Sequence, residues 1–404
     1  MGKSSPQGPG AHHPGDARSD VAALPFVDRG VLSKNGRGGR SMIHRARKTG
    51  MILATSGMLV VGPAFGQDEV VGPVEVEVEI DRPGAENTPA LDEMTPELDE
   101  AVRKGLSSLA ILQNADGSFG RGRYGKHVGI TALCALAFMA DGHLPDRGRY
   151  GTVVSKALQF VLDNATETGL LAAETSHGPM YGHGFATLFL GEIYGMNPAD
   201  ERVRDALGRA IRLIVNSQNE EGGWRYNPVP FDADVSVTIC EIMALRSARN
   251  AGIKIPRETI DRAVEYVRKC QNKDGGFRYM TQPGGAAWPR TAAGVASLFY
   301  AGIYEDDAIE RGLDYLVRVA APGVGGRGPG NAHYYYGQYY AVQAMYLAGG
   351  EWWAQWWPGV RQELLVRQSA DGLWVDHQIG DAYATAMALI VLQMPKRYLP
   401  IFQK

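Results

Sequence analysis

The strongest constraint on this 404-residue chain is that its body repeats itself about every 50 residues. Four copies share one spacing, a Gln followed six residues later by an aromatic with a Gly between: Gln113–Phe119, Gln218–Trp224, Gln271–Phe277 and Gln368–Trp374. Two further copies are degenerate, with Ala165 and Ala320 in place of the Gln, so that the six positions lie 52, 53, 53, 49 and 48 residues apart. Each motif follows a segment with apolar residues at i, i+3, i+4 and i+7, such as Ala263, Tyr266, Val267 and Cys270, which is one face of a helix. After each comes a second segment that is apolar nearly all round, as in Thr131–Phe138, Thr187–Tyr194 and Thr385–Leu392, and such a helix belongs inside.

The motif has a readable physical role. Asp-Gly or Gly-Gly turns the chain at a helix end, where Gly takes the left-handed conformation. The Gln can satisfy backbone groups orphaned there, and the aromatic fills the gap between repeats. Polar-faced outer helices alternating six times with apolar inner ones predict an all-α fold, an α/α toroid of six helical hairpins in two concentric rings.

A content of 45% hydrophobic and 21% charged residues suits such a packed body. Cys134, Cys240 and Cys270 fall within apolar helical patterns with neither a disulfide framework nor metal-site spacing, so they read as buried thiols. Residues 1–66 carry nine Lys/Arg against three Asp, which leaves the remainder at a net charge of −9. A body this acidic argues against nucleic acid or an anionic membrane surface as partner.

The basic segment Met42–Lys48, the apolar run Met51–Val61 and the small residues around Ala64 and Gly66 predict a signal peptide over 42–66, cut before Gln67. The expected destination is outside the cytoplasm, periplasmic or secreted. The apolar run falls short of the roughly 20 residues that span a bilayer. Residues 1–41 are rich in Gly, Pro, Arg and Ser and read as disordered, preceding a true start at Met42. Residues 67–94 form an acidic, Pro-punctuated linker in which Val74–Ile80 alternates like a lone strand. The toroid domain then covers 95–404, its first helix opening at Thr95-Pro96.

Aligning the inner helices on Thr131, Thr187, Thr238, Gly294, Ala341 and Thr385 and reading four residues earlier gives His127, His183, Asp234, Arg290, Gly337 and Asp381. These are candidates to surround one mouth of the barrel. Asp234 and Asp381 read equally as helix N-caps, and the histidines as loop ties. Tyr226, Tyr279, Tyr336 and Trp374 add candidate aromatic contacts to a ligand.

The repeat resembles the one shared by squalene-hopene cyclases, oxidosqualene cyclases and protein prenyltransferase β subunits, over about Thr95 to Leu399. In class II terpene cyclases an Asp-x-Asp-Asp-Thr run supplies a middle Asp that protonates an alkene. The corresponding stretch here is Asp232-Ala-Asp234-Val235, so the resemblance implies Asp234 as acid beside Asp232, with the third acid replaced by Val235. Asp381, in the Asp-x-Tyr run of the sixth repeat, completes the catalytic candidates. The zinc ligands of the prenyltransferases fall on Tyr336, Gln338 and Ala384, none of which binds zinc in the way that chemistry needs, so zinc prenyl transfer is excluded and no metal or cofactor is expected. The resemblance therefore implies an exported toroid protein binding an apolar, isoprenoid-like small molecule, with cyclase-like chemistry at Asp234 if it is catalytic. Two alternatives stay open. One is a glycan-active lyase or hydrolase using His183, Arg290 and the tyrosines on a polysaccharide. The other is a non-catalytic scaffold for a partner protein of the cell envelope. Sequencing of the exported protein is expected to give Gln67 as its first residue; a peptide from residues 1–41 would contradict a start at Met42.

Overall fold

The structure, a computed structural model, describes residues 93–173, 178–323 and 333–403. The expected disordered stretch, signal segment and most of the linker, with its lone strand, lie outside the described residues. Among those residues the chain is all-helical, with isolated bridging pairs and no strand. Six outer helices, α1 (Pro96–Ile111), α3 (Gly151–Asp163), α5 (Glu201–Ser217), α7 (Arg257–Lys269), α9 (Asp307–Ala320) and α11 (Gly350–Arg367), alternate with six inner ones. The inner helices are α2 (Val128–Met139), α4 (Met180–Met196), α6 (Val235–Asn250), α8 (Trp288–Tyr300), α10 (Tyr334–Ala348) and α12 (Asp381–Leu392). Each inner helix packs on the next and α12 packs back on α2, so the ring is closed. This is the expected α/α toroid.

The two helix classes differ as their sequences require. α5, α7 and α9 bury one stripe, such as Val203, Leu207, Ala210 and Ile214, and turn Arg, Asp and Glu outward. All twelve residues of α2 are buried, and nearly all of α12. Small residues set the spacing of the inner ring: a Cβ on Gly184 would lie 2.7 Å from that of Cys240, and one on Gly191 2.4 Å from Ser247 Oγ. α1 opens where expected, with Thr95 Oγ1 accepting from Leu98 N at 3.3 Å and Pro96 at the first position.

The repeat motif is the joint between outer helices. Each Gln amide donates twice, once to the carbonyl of its own turn Gly and once into the first two turns of the next outer helix. Gln113 bonds Gly117 and Val153, Gln218 bonds Gly222 and Thr259, and Gln271 bonds Gly275 and Ala308. Gln368 bonds Gly372 and Ala101, which links the last repeat to the first. The turn glycines have positive φ, +100° at Gly222, where a Cβ would sit 2.2 Å from the Arg262 carbonyl oxygen. The aromatics Phe119, Trp224, Phe277 and Trp374 are buried behind these joints.

Beyond α12 the chain crosses the C-terminal ends of the inner helices. Gln393 donates to Ala137 O, Lys396 pairs with Asp141, and Ile401 N donates to buried Glu192 at 3.1 Å, with Leu399, Ile401 and Phe402 buried. The N-terminal ends of the inner helices form the other mouth. All three cysteines are buried free thiols, as expected. Trp356 and Trp357 are buried in the packing of α11, and Trp353 stacks on Trp357.

The joint is testable by a near-isosteric change. Gln218→Leu takes the side-chain donor from two buried carbonyls, of which Thr259 O keeps its partner within α7, and is expected to cost about 1–3 kcal/mol in urea unfolding. A loss below about 0.5 kcal/mol would show that the joint does not hold the repeats together.

Candidate functional site

The backbone N–H of each motif aromatic fixes the register of the following inner helix. Phe119 N donates to Thr131 Oγ1, Trp224 N to Thr238, Phe277 N to Thr291 and Trp374 N to Thr385, at 2.9–3.1 Å. In the degenerate second repeat Leu171 stands for the aromatic, and its N–H goes to His183 Nδ1 at 3.1 Å. The register read from sequence therefore holds for α2, α6 and α12. It slips by one turn in α4, where His183 and not Thr187 is the counterpart, and by three residues in α8, where Thr291 and not Gly294 is.

Three of the expected residues do not line the mouth. His183 is fully buried in the wall, its second ring nitrogen facing the Ala210 carbonyl of α5 at 3.3 Å, and burial pushes it down to about 4, so it is a neutral tie between rings. Gly337 packs against the Trp288 ring. Trp374 is fully buried with its indole N–H on Leu364 O, 2.8 Å away, which makes it the staple of its own repeat and not a ligand contact. His127 is at the mouth as the N-cap of α2: Nδ1 accepts from Gly129 N at 3.2 Å and Ile130 N at 3.4 Å, and burial lowers it to about 4. Asp381 is exposed in the first turn of α12 and lines a cleft of about 160 Å³ with Arg121, Ile379 and Tyr383. α12 lies across the ring from α6, so Asp381 does not join Asp234.

Asp234 is where the remaining candidates gather. It caps α6, Oδ1 accepting from Ser236 N at 2.8 Å and Val237 N at 2.9 Å. The N-cap role is therefore real, and the other oxygen is left for something else. Oδ2 accepts from the Tyr279 hydroxyl at 3.1 Å and lies 3.7 Å from Arg225 Nε. Arg225 also pairs with Asp232 and sits over the rings of Tyr226 and Tyr279, at 5.1 and 5.8 Å. The Tyr226 and Tyr279 hydroxyls bond each other. Arg290 donates to Gly285 O and covers the Tyr279 ring at 5.7 Å.

Backbone bonds explain how Tyr279 reaches an acid on the neighbouring repeat. After Phe277 the chain runs back over the previous inner helix, where Val235 N donates to Tyr279 O at 3.0 Å. Tyr226 does the same one repeat earlier, accepting from Met180 N at 3.1 Å. These bonds satisfy N–H groups orphaned at helix starts and hang each tyrosine over its neighbour's mouth.

Asp234 is entirely buried, and this pushes its carboxyl up to about 6, against the opposing pull of the Val237 N–H, the Arg225 charge and the Tyr279 hydroxyl. Further along α6 the wall is aromatic. Tyr336 donates to Ser236 O at 3.4 Å, Tyr340 meets Cys240 Sγ at 3.3 Å, and Tyr339 and Phe185 complete an edge-packed group. Sequence reasoning passes over Tyr181 and does not place Arg225 beside Asp234. Arg225 stands visibly between Trp224 and Tyr226, but its place depends on the return of the chain over α4. The arrangement is a carboxylic acid that keeps its proton into the near-neutral range, set in aromatic surroundings and backed by cations that stabilise the carboxylate it leaves.

The family model for the prenyltransferase α/α-toroid domain matches residues 90–397. A curated relative, drimenyl diphosphate synthase of Streptomyces showdoensis, is 27% identical over 178 residues, which cover 44% of this chain and 32% of the relative. The chain thus spans about a third of that relative's length. A type II terpene cyclase, a variant of MstE from Scytonema in complex with geranylgeranyl dihydroxybenzoate, shares the fold at a TM-score of 0.52 and 15% identity, covering 75% of this chain and 98% of its own. Cellobiose 2-epimerase from Bacillus thermoamylovorans shares it at 0.56 and 14%, covering 75% and 100%. On its repeats, its closed double ring and the family match together, the chain belongs to the prenyltransferase α/α-toroid family.

Proposed function

We propose that this chain is an exported toroid protein that binds an apolar, isoprenoid-like molecule and, as a class II cyclase-like enzyme, protonates it from Asp234. The observation that carries the reading is the fully buried Asp234, raised to about 6 and facing a mouth rimmed by Tyr226, Tyr279 and Tyr336. Burial makes Asp234 a weaker acid than an exposed carboxyl but keeps its proton in place toward neutral pH; an alkene is a very weak base, so the transfer also needs donors that hold the conjugate base once it forms. The two N-cap N–H groups, the Tyr279 hydroxyl and Arg225 supply that hold in place of the third acid that Val235 replaces. The cation formed would meet tyrosine faces, whose quadrupoles favour positive charge, while burial holds the Cys240 thiol of the same wall in its neutral, less nucleophilic form.

The relatives support the same reading: one is named for a drimenyl diphosphate product, and one structural neighbour holds a geranylgeranyl compound. The polysaccharide reading draws on the toroid shared with a sugar epimerase. It loses one of its two key groups, because His183 spends both ring nitrogens on backbone atoms within the wall.

Small molecules retained by the protein purified from its native envelope are expected to be isoprenoids by mass spectrometry; bound glycans would contradict the ligand class. Product formation is expected to fall at least about 100-fold in Asp234→Asn, in line with loss of a general acid, whereas an unchanged rate would remove the catalytic part. Because the acid works only when protonated, the rate should hold below the value of about 6 and drop about tenfold per pH unit above it. A profile flat to pH 9 would contradict the role of Asp234.

A further inference from the structure

We propose that Tyr279 and Tyr226 form a two-hydroxyl relay that returns a proton to Asp234 from solvent after each turnover. The turnover rests on the cyclase reading above; the relay rests on the geometry around the carboxyl.

An acid that gives its proton to a substrate carbon must be recharged, and Asp234 has no exposed surface through which water could do so. Oδ1 is occupied by two backbone N–H groups, which do not give up their protons. Oδ2 has two polar neighbours, the Tyr279 hydroxyl at 3.1 Å and Arg225 Nε at 3.7 Å. A guanidinium does not deprotonate in proteins, so among the described residues the Tyr279 hydroxyl is the only bonded group able to hand on a proton. Its oxygen in turn bonds the Tyr226 hydroxyl. Tyr226 is only part-buried and leads directly into a loop whose Val229 and Phe231 are 54% and 85% exposed. Tyr226, like Tyr279, is part-buried, so the pair of hydroxyls leads from the sealed carboxyl to the part-exposed rim of the mouth.

The other titratable groups near Asp234 are Tyr181 of α4, Tyr336 of α10, Arg290 of α8, Cys240 of α6 itself, Tyr266 of α7 with Cys270 at its end, and Asp232, which shares Arg225. Tyr336 donates to the Ser236 carbonyl, which carries no exchangeable proton. Burial first, and the Asp234 charge with it, push both relay hydroxyls up; Arg225, lying over both rings, offsets part of that cost for the brief negative charge that passes between them.

The step balances. Asp234 Oδ2 loses its proton as the alkene's π pair forms a C–H bond, leaving a carboxylate and a carbocation. Tyr279 then gives its hydroxyl proton to Oδ2, Tyr226 gives its own to the Tyr279 oxygen, and water reprotonates Tyr226. The proton drawn from water is matched by the one the carbocation releases when it closes to an alkene.

The test needs no substrate. Infrared difference spectra of the full chain after a pH jump across about 6 follow the Asp234 carboxyl band, identified by its disappearance in Asp234→Asn. In Tyr226→Phe the band is expected to relax about tenfold more slowly or worse, with its midpoint unmoved, since Tyr226 does not touch the carboxyl. Tyr279→Phe should slow it equally and shift the midpoint upward, because a donor to the carboxylate is lost. Tyr346→Phe, at the far end of α10, should relax at the wild-type rate, so that slowing confined to the relay pair is not a general effect of losing a tyrosine hydroxyl. Wild-type relaxation in both Tyr226→Phe and Tyr279→Phe overturns the relay. Failure of the wild-type chain to cyclise squalene or geranylgeranyl diphosphate would count against the cyclase reading alone, because the relaxation result stands without turnover.

Discussion

A glutamine side chain shared between two carbonyls holds this protein in register. Each motif Gln closes its own turn at a positive-φ glycine and at the same time ties that turn to the start of the next outer helix. The amide has two N–H donors and both are spent, so the turn and the neighbouring helix are fixed by one group. Net gains per hydrogen bond are small, near 1 kcal/mol, but these carbonyls are shielded and their loss is costly. Repeated in four of six hairpins and closed by Gln368 on Ala101, the device turns a stack that would otherwise have free ends into a ring with none.

The inner ring follows from that outer frame. With each turn held, the aromatic N–H two residues past its glycine lands on a hydroxyl four positions into the next inner helix, and the helix start is set by that bond. All inner helices then begin at one end of the barrel. Their N-termini concentrate orphaned N–H groups and positive dipole ends, which favours a carboxylate there. Asp234 answers the local need as a cap with one oxygen. Burial works against ionisation of the same group, and the two opposing effects leave it near 6. The chemistry of the site is a consequence of placing a cap where no solvent reaches.

The architecture was legible because its signal is periodic. The Gln-to-aromatic spacing and the alternation of one-sided with all-round apolar segments survive in every copy where they matter, and the ring, the cysteine burial and the opening of α1 followed from them. The site was legible only in part. Asp234, Arg290, Tyr226 and Tyr279 meet in the structure, whereas His183 and Trp374 do not. His183 misled because a histidine does in the second repeat what a threonine does in four others, accepting the motif N–H, and no spacing distinguishes the two. In α8 the helix-starting alignment chose Gly294 over Thr291 because both lie in an unbroken run of small residues. The contact of Tyr279 with Asp234 joins different repeats through a chain reversal fixed by Val235 N, and such a contact leaves no trace in local pattern.

Acid chemistry at this mouth requires Asp234 to be a buried acid and not simply a solvated cap. A carbon-13 NMR titration of the aspartate carboxyls, with Asp234 identified by comparison with Asp234→Asn, measures this directly. The predicted result is a midpoint near 6, set by burial against the pull of Val237 N, Arg225 and Tyr279. A midpoint at or below about 4, the ordinary range of an exposed aspartate, would contradict it and leave Asp234 as an N-cap alone.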